Sequence, residues 1–539
     1  MRLNMAKQIG HIIGGTLAEG LVMRIQNVAS FEDIKTGKFV SIIGTYYKFF
    51  SLITDIKLEL SHPDILLYPP TADETLLHEI IRERDMYATA IVRPMLMTTP
   101  DNKVMLVKTI PTHFCPVFEA HKNDIALIFG DENEKTKRYF NIGKPLDMDT
   151  PVCLDLDRLT ERSNGIFGKT GTGKTFLTRL ILAGLINNDK AVNLIFDMHS
   201  EYGFQARKEG ASQSFVKGLK TLFADRVAIF SLDPESTRRR GCSPDVIVNL
   251  SYQSIHVDDI LSLQYELNLH TTAVEAGYLI SAKFKQDWLA VLLSKGEMLK
   301  EFSQDIGAHP ESIAALYRKL KRIERLPFFL NLPEEKSGNS VIDLMMDYLD
   351  RGITIIIEFG NHSSTFVYLL VANIITRRIH QEYIKKTEQY LGAPHLINEP
   401  KKLMITIEEA HKFLNTQSAR QTIFGTIARE MRKYYVSLLV VDQRPSCIDQ
   451  EILSQIGTKI IAQLTDERDI QAALIGTSST TALRTVLAGL DTKKQVLLVG
   501  HAIAMPVVIE TREYNEEFYR AMVPMVTKEQ IDSLITELF

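Results

Sequence analysis

The feature of this sequence that most constrains its fold is a glycine-rich octapeptide between an apolar segment and a helix-forming one. It matches the pattern G-x-x-x-x-G-K-[ST] in full, as Gly168-Lys169-Thr170-Gly171-Thr172-Gly173-Lys174-Thr175. The glycines let the backbone curl so that its N–H groups face one anion, and a following helix adds its positive end. The apolar segment 165–167 predicts a strand before the loop, and 176–186 predicts a helix after it. This order predicts an α/β domain that binds nucleotide phosphates.

The last two residues of this loop carry side chains suited to a metal-bound nucleotide. Lys174 is expected to reach the β- and γ-phosphates, and the Thr175 hydroxyl is expected to ligate Mg²⁺. ATP and Mg²⁺ are therefore the predicted cofactors. The alternative, a glycine-rich turn without function, is disfavoured by the flanking strand and helix and by the acidic pair described next.

An acidic pair follows a second apolar strand, predicted at 403–407. Glu408 stands where Mg²⁺ needs its second protein anchor, at the end of a strand that faces the phosphate loop. We assign Glu408 to the metal and the next residue, Glu409, to the general base that polarises the attacking water. The alternative is a pair of solvated acids that open a helix and complement its dipole.

Length and composition exclude several other classes of protein. A chain of 539 residues exceeds one compact core, so about two to four domains are expected. The longest apolar run, 366–375, is about half the length of a membrane-spanning helix, and the N-terminus lacks the apolar stretch of a signal peptide. The cysteines form no C-x-x-C pair, which argues against a disulfide framework or structural zinc and favours a reducing cytoplasm. They are Cys115, Cys153, Cys242 and Cys447.

The pattern of apolar runs divides the chain into four predicted parts. Residues 1–145 contain short runs between turn residues, typical of a small β-barrel or sandwich. Residues 146–204 and 346–512 predict a parallel sheet covered by helices on both faces. Residues 205–345 predict an all-helical insertion, and 513–539 predict a helical tail. The predicted strands lie at 39–44, 64–68, 87–97, 104–107, 192–196, 353–359, 403–407, 436–441, 459–462 and 496–499.

Four motifs together resemble the HerA family of hexameric DNA translocases, which belongs to the same broad ATPase group as FtsK. They are the glycine loop, Asp197-Met198-His199-Ser200-Glu201-Tyr202, Glu408-Glu409-Ala410-His411 and Asp442-Gln443-Arg444-Pro445-Ser446. Their order and spacing agree with the family over about residues 1 to 512. The resemblance implies a RecA-like motor with an N-terminal barrel and a helical insertion, as the apolar pattern also predicts.

The resemblance also implies roles for residues around the nucleotide. Gln443 matches the polar sensor of the γ-phosphate, and Arg432 resembles the arginine finger that one subunit offers to its neighbour's ATP. Arg429, one helical turn earlier, is the alternative finger. The family usually has glycine where Met431 stands, so this sequence departs from the family's pattern next to Arg432. Arg162 matches an arginine that contacts the nucleotide region.

The segment around Asp197, His199 and Glu201 has two interpretations. Its spacing could suggest a metal site, but zinc needs about three or four converging ligands. The residues alone favour a polar turn that caps the strand. In the family, this segment helps to shape the catalytic centre.

The substrate is less constrained by the residues themselves. The net charge of −4 gives no overall attraction to nucleic acid, although a ring can confine basic groups to its channel. Arg238, Arg239 and Arg240 are the candidate DNA contacts, with a second basic cluster at 318–322. Both clusters could instead be solvated faces or form salt bridges between subunits.

Two functions of different class follow from the resemblance. In one, a homo-hexamer hydrolyses ATP to pump duplex DNA to a partner nuclease or other effector, in end resection with NurA or in antiviral defence. In the other, an ATP-gated ring scaffolds and regulates an effector with little translocation. The intact Glu409 and Arg432 favour the motor. A conjugation-type coupling ATPase would normally bring a membrane anchor, and none is predicted.

Overall fold

The computed structural model describes most of the chain and divides it into two compact units. The described residues are 7–26, 28, 30–61, 86–146, 148–207, 215–331, 340–430, 433–477, 480–491 and 494–523. The first unit comprises Met1–Leu156, Phe167–Thr172 and Thr458–Arg512. The second comprises Asp157–Ile166, Gly173–Gly457 and Glu513–Phe539.

The first unit begins with a closed antiparallel barrel. Its strands are β1 (Gln8–Thr16), β2 (Gly20–Ile25), β3 (Phe39–Ile43), β4 (Lys48–Leu60), β5 (Met86–Thr98), β6 (Val104–Leu106) and β7 (Pro116–Glu119). The strand order is β2-β1-β7-β3-β4-β5, and β2 pairs back to β5 to close six strands, with β6 beside β5. Apolar side chains such as Ile9, Met23, Val40, Ile53 and Val92 fill the interior. The predicted N-terminal barrel is confirmed, while the strand predicted at 64–68 lies outside the described residues.

The barrel is followed by one helix and a β-hairpin of the same unit. These elements are α1 (Lys122–Phe129), β8 (Tyr139–Pro145) and β9 (Val152–Asp155). Arg138 donates two hydrogen bonds to Asp155 across the start of the hairpin, at 2.6 and 3.0 Å.

The second unit is built on a parallel sheet of long buried strands. The strands of this unit are β10 (Asn164–Phe167), β11 (Val192–Asp197), β12 (Ala206–Arg207), β13 (Phe215–Val216), β14 (Val227–Ser231), β15 (Val246–Ile247), β16 (Leu250–Ser251), β17 (Phe329–Leu330), β18 (Thr354–Glu358), β19 (Leu403–Glu408) and β20 (Val436–Asp442). Of these, β12 with β13 and β16 with β17 form two separate two-stranded sheets. The order is β15-β14-β18-β11-β19-β20, with every one of these neighbours parallel. Strands β11, β14, β18 and β20 are buried on both faces, which explains their nearly continuous apolar sequences. The predicted α/β fold with a parallel sheet is confirmed in this unit.

Helices connect these strands and form a separate helical segment. They are α2 (Leu156–Leu159), α3 (Lys174–Asn187), α4 (Leu219–Phe223), α5 (Pro234–Arg239), α6 (Val257–Ser262), α7 (Thr271–Phe284), α8 (Trp288–Ser294), α9 (Leu299–Ile306), α10 (Pro310–Leu320), α11 (Val341–Asp350), α12 (Thr365–Gly392), α13 (His411–Leu414), α14 (Ile423–Glu430) and α15 (Gln450–Gln455). None of the helices in the described part of the chain is long and apolar enough to cross a bilayer.

The helical segment begins later than the sequence predicted. Residues 205–345 were expected to be all helix, but β14 and β15 lie inside that range and extend the parallel sheet. The run Val227–Ser231 is short and apolar, and periodicity cannot distinguish such a strand from buried helix. Helices α6 to α10 form the helical part, with Trp288 buried and its indole N–H donating to the Ile255 carbonyl at 2.7 Å.

The last part of the first unit corrects the expectation of parallel strands throughout. It contains β21 (Thr458–Ile461), α16 (Glu467–Ala473), α17 (Thr480–Ala488), β22 (Gln495–Gly500) and β23 (Val507–Thr511). β21, β22, β23 and β8 are successive antiparallel neighbours. An apolar run gives no strand direction, so the sequence could not separate these strands from the parallel ones. The second unit resumes with α18 (Glu516–Met522), the described part of the predicted helical tail.

Candidate nucleotide-binding and hydrolysis site

The phosphate loop has a backbone that only glycine adopts easily. Gly171 and Gly173 have φ values of +79° and +86°, although a Cβ at either would meet open space. The requirement for glycine is therefore conformational. Gly173 caps helix α3 and has no side chain to cover the helix N-terminus, a place that suits an anionic ligand.

Thr175, in the first turn of α3, is linked to the segment after strand β11. Its hydroxyl donates to Glu201 Oε2 at 2.9 Å. Arg179, one turn later and almost fully buried, donates to the Glu201 carbonyl. The Arg179 guanidinium also lies 5.3 Å from the Phe176 ring and 6.0 Å from the Tyr202 ring. Glu201 is thus held at both its backbone and its carboxylate.

Asp197 shapes the turn that carries Glu201. Its two carboxylate oxygens accept the backbone N–H groups of Glu201 and Tyr202, each at 2.8 Å. His199 is exposed on the same turn. Within the described ranges, no group of three or more His, Cys, Asp or Glu side chains could hold a metal ion. The contacts are those of a polar turn that caps a strand.

Glu408 ends strand β19 and is held by two tyrosines. The Tyr202 hydroxyl donates to Glu408 Oε1 at 2.7 Å. The Tyr368 hydroxyl lies 3.1 Å from both the N and the O of Glu408, so it donates to the carbonyl and accepts from the N–H. The other carboxylate oxygen, Oε2, is buried and has no hydrogen-bond partner.

Glu408 Oε2, which has no hydrogen-bond partner within the described part of the chain, is suited to bind a cation. Burial, followed by the charge of Asp197, raises the pKa of Glu408 to about 8. The consecutive residues Glu201 and Tyr202 contact Thr175 and Glu408 respectively, which brings a hydroxyl and two carboxylates to one edge of the sheet. Oxygen ligands of this kind suit Mg²⁺, and its charge would restore the ionised form of Glu408.

Glu409 lies one residue further, in a backbone conformation unusual for glutamate. Its φ of +48° is left-handed, which costs on the order of 1–3 kcal/mol in a residue other than glycine. Gln443 Nε2 donates to both carboxylate oxygens of Glu409, at 3.1 and 3.3 Å. His411 Nδ1 lies 3.6 Å from Glu409 Oε2.

Asp442, the last residue of β20, fixes the segment after Glu409. Its buried carboxylate accepts the backbone N–H of His411 at 2.7 Å and contacts the His411 ring Nδ1 at 2.9 Å. It also accepts the N–H of Arg444 at 2.7 Å. The hydrogen bond to Asp442 raises the pKa of His411 although burial opposes this.

Four neighbouring strands therefore end in acidic residues. In the sheet order β18-β11-β19-β20, these are Glu358, Asp197, Glu408 and Asp442. Glu358 and Asp197 are paired residues in adjacent strands. Ligand sites of parallel α/β sheets lie at the carboxyl edge of the strands, so this row marks the site.

The predicted arginines differ in their surroundings. Arg432 lies outside the described residues, so its role as a finger stays a prediction. Arg429 donates to the Ala419 carbonyl at 3.0 Å, and its Nε lies 3.7 Å from Glu451. Arg162 packs against Gly457, where an added Cβ would lie 2.6 Å from its Cδ.

Of the candidate DNA contacts, Arg240 is engaged within the chain. Its guanidinium pairs with Glu358 at 2.6 Å, and Thr237 Oγ1 donates to the same carboxylate at 3.1 Å. Arg238 and Arg239, at the end of α5, are exposed. In the second basic cluster, Arg322 stacks on the Phe366 ring at 4.6 Å.

Sequence reasoning missed the residues that support the predicted ones. Tyr202, His411 and Asp442 stood in the quoted motifs, but nothing in the sequence showed that they contact the acidic pair. Tyr368 carried no signal, because it lies in an apolar stretch of α12 and contacts Glu408 forty positions away. Arg179 likewise looked like an ordinary residue of a helix.

Comparison with known proteins gives a consistent set of relatives. Residues 140–379 match the family model described as "Helicase HerA, central domain". The "DNA double-strand break repair helicase HerA" of Sulfurisphaera tokodaii is 23% identical over 537 residues, covering 94% of this chain and 93% of that protein. The protein of the same name from Pyrococcus furiosus is 24% identical over 426 residues, covering 74% and 73%.

Two solved structures are similar in part. VirB4 of Thermoanaerobacter pseudethanolicus has a TM-score of 0.44 at 14% identity, covering 69% of this chain and 96% of that chain. The bacterial conjugative coupling protein TrwBdeltaN70 has a TM-score of 0.44 at 12% identity, covering 71% and 90%.

Proposed function

The chain belongs to the HerA family of helicases, and we propose that it is an ATP-driven DNA translocase. One observation carries the proposal. The carboxylate of Glu409 lies beyond the end of β19 and accepts two hydrogen bonds from Gln443, which follows the adjacent strand β20. A candidate general base is thus paired with a candidate sensor of the phosphate, on the same sheet edge as Glu408.

Each residue of the site has a place in phosphoryl transfer. Lys174 binds the β- and γ-phosphates, and Glu409 orients the attacking water and accepts its proton. Thr175 and Glu408 would hold Mg²⁺, which neutralises charge on the phosphate oxygens when it is bound. Gln443, released from Glu409, contacts the γ-phosphate.

The remaining groups extend the site beyond one subunit. Arg432 from a neighbouring subunit supplies a positive charge to the transition state, which can be worth about 10³–10⁵ in rate. Hydrolysis then requires a ring, which we propose to be a homo-hexamer.

Within one subunit, Arg162 contributes to nucleotide binding. Asp197 and Glu201 support Thr175 from the turn after β11.

DNA is the proposed substrate, and the names of the two HerA relatives support it. The exposed Arg238 and Arg239 are suited to phosphate contacts, which carry no sequence information. We propose that the ring delivers duplex DNA to a partner nuclease or another effector, in repair or in antiviral defence.

The test is steady-state ATP hydrolysis with and without linear duplex DNA, with Glu409→Gln as the blank. We expect DNA to stimulate turnover in the wild type and to have no effect in the variant. Glu409-dependent hydrolysis that ignores DNA would instead support the ATP-gated scaffold. Equal hydrolysis in wild type and Glu409→Gln would overturn the assignment of the base.

A further inference from the structure

We propose that His411 and Asp442 form a positioning pair that holds the general base Glu409 in its working orientation. The inference rests on the proposed ATP hydrolysis and assigns to that reaction two residues that act through Glu409.

Glu409 needs such support because nothing in its own strand provides it. Strand β19 ends at Glu408, and the next residue turns into a left-handed conformation with φ of +48°. Its side chain is partly exposed, at 29%, so packing does not fix the carboxylate. A side chain in this position keeps one orientation only if neighbouring groups impose it.

Asp442 supplies an anchor from the adjacent strand. It is 1% exposed, and its carboxylate accepts the backbone N–H of His411 at 2.7 Å. That bond fixes the chain two residues after Glu409. The same carboxylate accepts the Arg444 N–H at 2.7 Å, so it also fixes the backbone one residue after Gln443. One buried group therefore sets the backbone on both sides of the Gln443–Glu409 contact.

The His411 ring completes the arrangement. Its Nδ1 contacts Asp442 Oδ2 at 2.9 Å and lies 3.6 Å from Glu409 Oε2. With Nδ1–H donated to Asp442, the ring stands beside the Glu409 carboxylate on one side, while Gln443 contacts that carboxylate through its amide. When Gln443 leaves Glu409 for the γ-phosphate, the ring remains the group that limits the motion of the base.

The pair should therefore affect the chemical step and leave nucleotide binding unchanged. In His411→Phe an aromatic ring remains but its contact with Asp442 is lost, and we expect kcat to fall about 10²-fold, as for a misplaced catalytic group. KM and the affinity for ATP should stay near wild type. His411→Asn, whose amide N–H can replace Nδ1–H, should restore most of kcat.

A second measurement separates positioning from a general structural defect. In the Glu409→Gln background, His411→Phe should cause no further loss of the single-turnover rate, because a positioning residue acts only through the base. Asp442→Asn should behave like His411→Phe. An additive loss, or an Asn variant as inactive as the Phe variant, would overturn the proposal. Wild-type protein without Glu409-dependent hydrolysis would instead overturn the proposed function itself.

Discussion

Four acidic side chains at the ends of neighbouring strands have four different environments. Glu358 is paired with Arg240, and Asp197 is bonded to backbone N–H groups. Glu408 accepts a tyrosine hydroxyl and keeps one oxygen without a partner, whereas Asp442 contacts a histidine. At the scale of single residues, the partner decides what each carboxylate can do. Of these four, Glu408 is the one with a carboxylate oxygen that has no hydrogen-bond partner among the described residues.

The pair of Glu358 and Arg240 should be important for stability. Glu358 is fully buried, so Arg240→Ala removes its counter-charge and should lower the free energy of unfolding by about 3 kcal/mol. Arg238→Ala, at an exposed position two residues earlier, should change it by less than about 0.5 kcal/mol. Urea unfolding of both variants measures the difference. Equal stability would show that Glu358 does not need its partner.

Asp197 should make stability depend on pH. Burial raises its pKa from 3.8 to about 7 in the folded chain. Between about pH 4 and 7 the unfolded chain loses this proton while the folded chain keeps it, so the free energy of unfolding falls as pH rises. Urea unfolding without metal or nucleotide should show this slope, and Asp197→Asn should reduce it. Asp225→Asn, at an exposed position, should keep the wild-type slope.

At the scale of elements, the sequence predicted what depends on local pattern. The glycine loop, the α3 helix, the strands ending at Asp197 and Glu408, and the N-terminal barrel were all foreseen, because turn residues and apolar runs mark them. Contacts between distant segments were not. Tyr202 and Glu408 are 206 positions apart, and only the parallel pairing of β11 with β19 brings their segments together.

The attachment of the helical segment to α12 also could not be predicted from the sequence. Asp259, fully buried in α6, accepts hydrogen bonds from Arg377 at 2.8 and 3.0 Å and from Asn373 at 2.7 Å. Arg377 Nη2 also donates to the Ser254 carbonyl at 2.8 Å. These buried bonds join the start of the helical segment to the long helix of the sheet domain.

Breaking this attachment should loosen the helical segment. Asp259→Asn leaves the buried Arg377 without its counter-charge, a change that typically costs about 3–5 kcal/mol. Hydrogen exchange should become faster in α6 to α10, while strands β18 to β20 change less. Asp258→Asn, at the exposed neighbouring position, is the control. Unchanged exchange in the Asp259 variant would mean that apolar packing alone holds the segment.

At the scale of the whole molecule, the proposed active site would be shared between two copies of the chain. Glu409 and Gln443 come from one subunit, and Arg432 would come from the next. A shared site predicts that two differently inactivated proteins can rescue each other, because a mixed ring contains some complete sites.

Mixing Arg432→Ala protein with Glu409→Gln protein tests this arrangement. Each should hydrolyse almost no ATP alone, since one lacks the finger and the other the base. Random mixing in equal amounts should restore up to about a quarter of the wild-type rate in a cyclic ring. Separate reactions with each variant at the same total concentration are the control. A mixture as inactive as its components would contradict a finger donated in trans.

The closed barrel has a consequence for how the chain is synthesised. Strand β7, near residue 119, fits between β1 and β3, so the ring of strands can close only after that residue has left the ribosome. The parallel sheet needs β20, which ends at Asp442, some three hundred residues later. At about 5–20 residues per second, the barrel has tens of seconds to form first. A nascent chain can therefore offer a finished barrel to other molecules before its ATPase site exists.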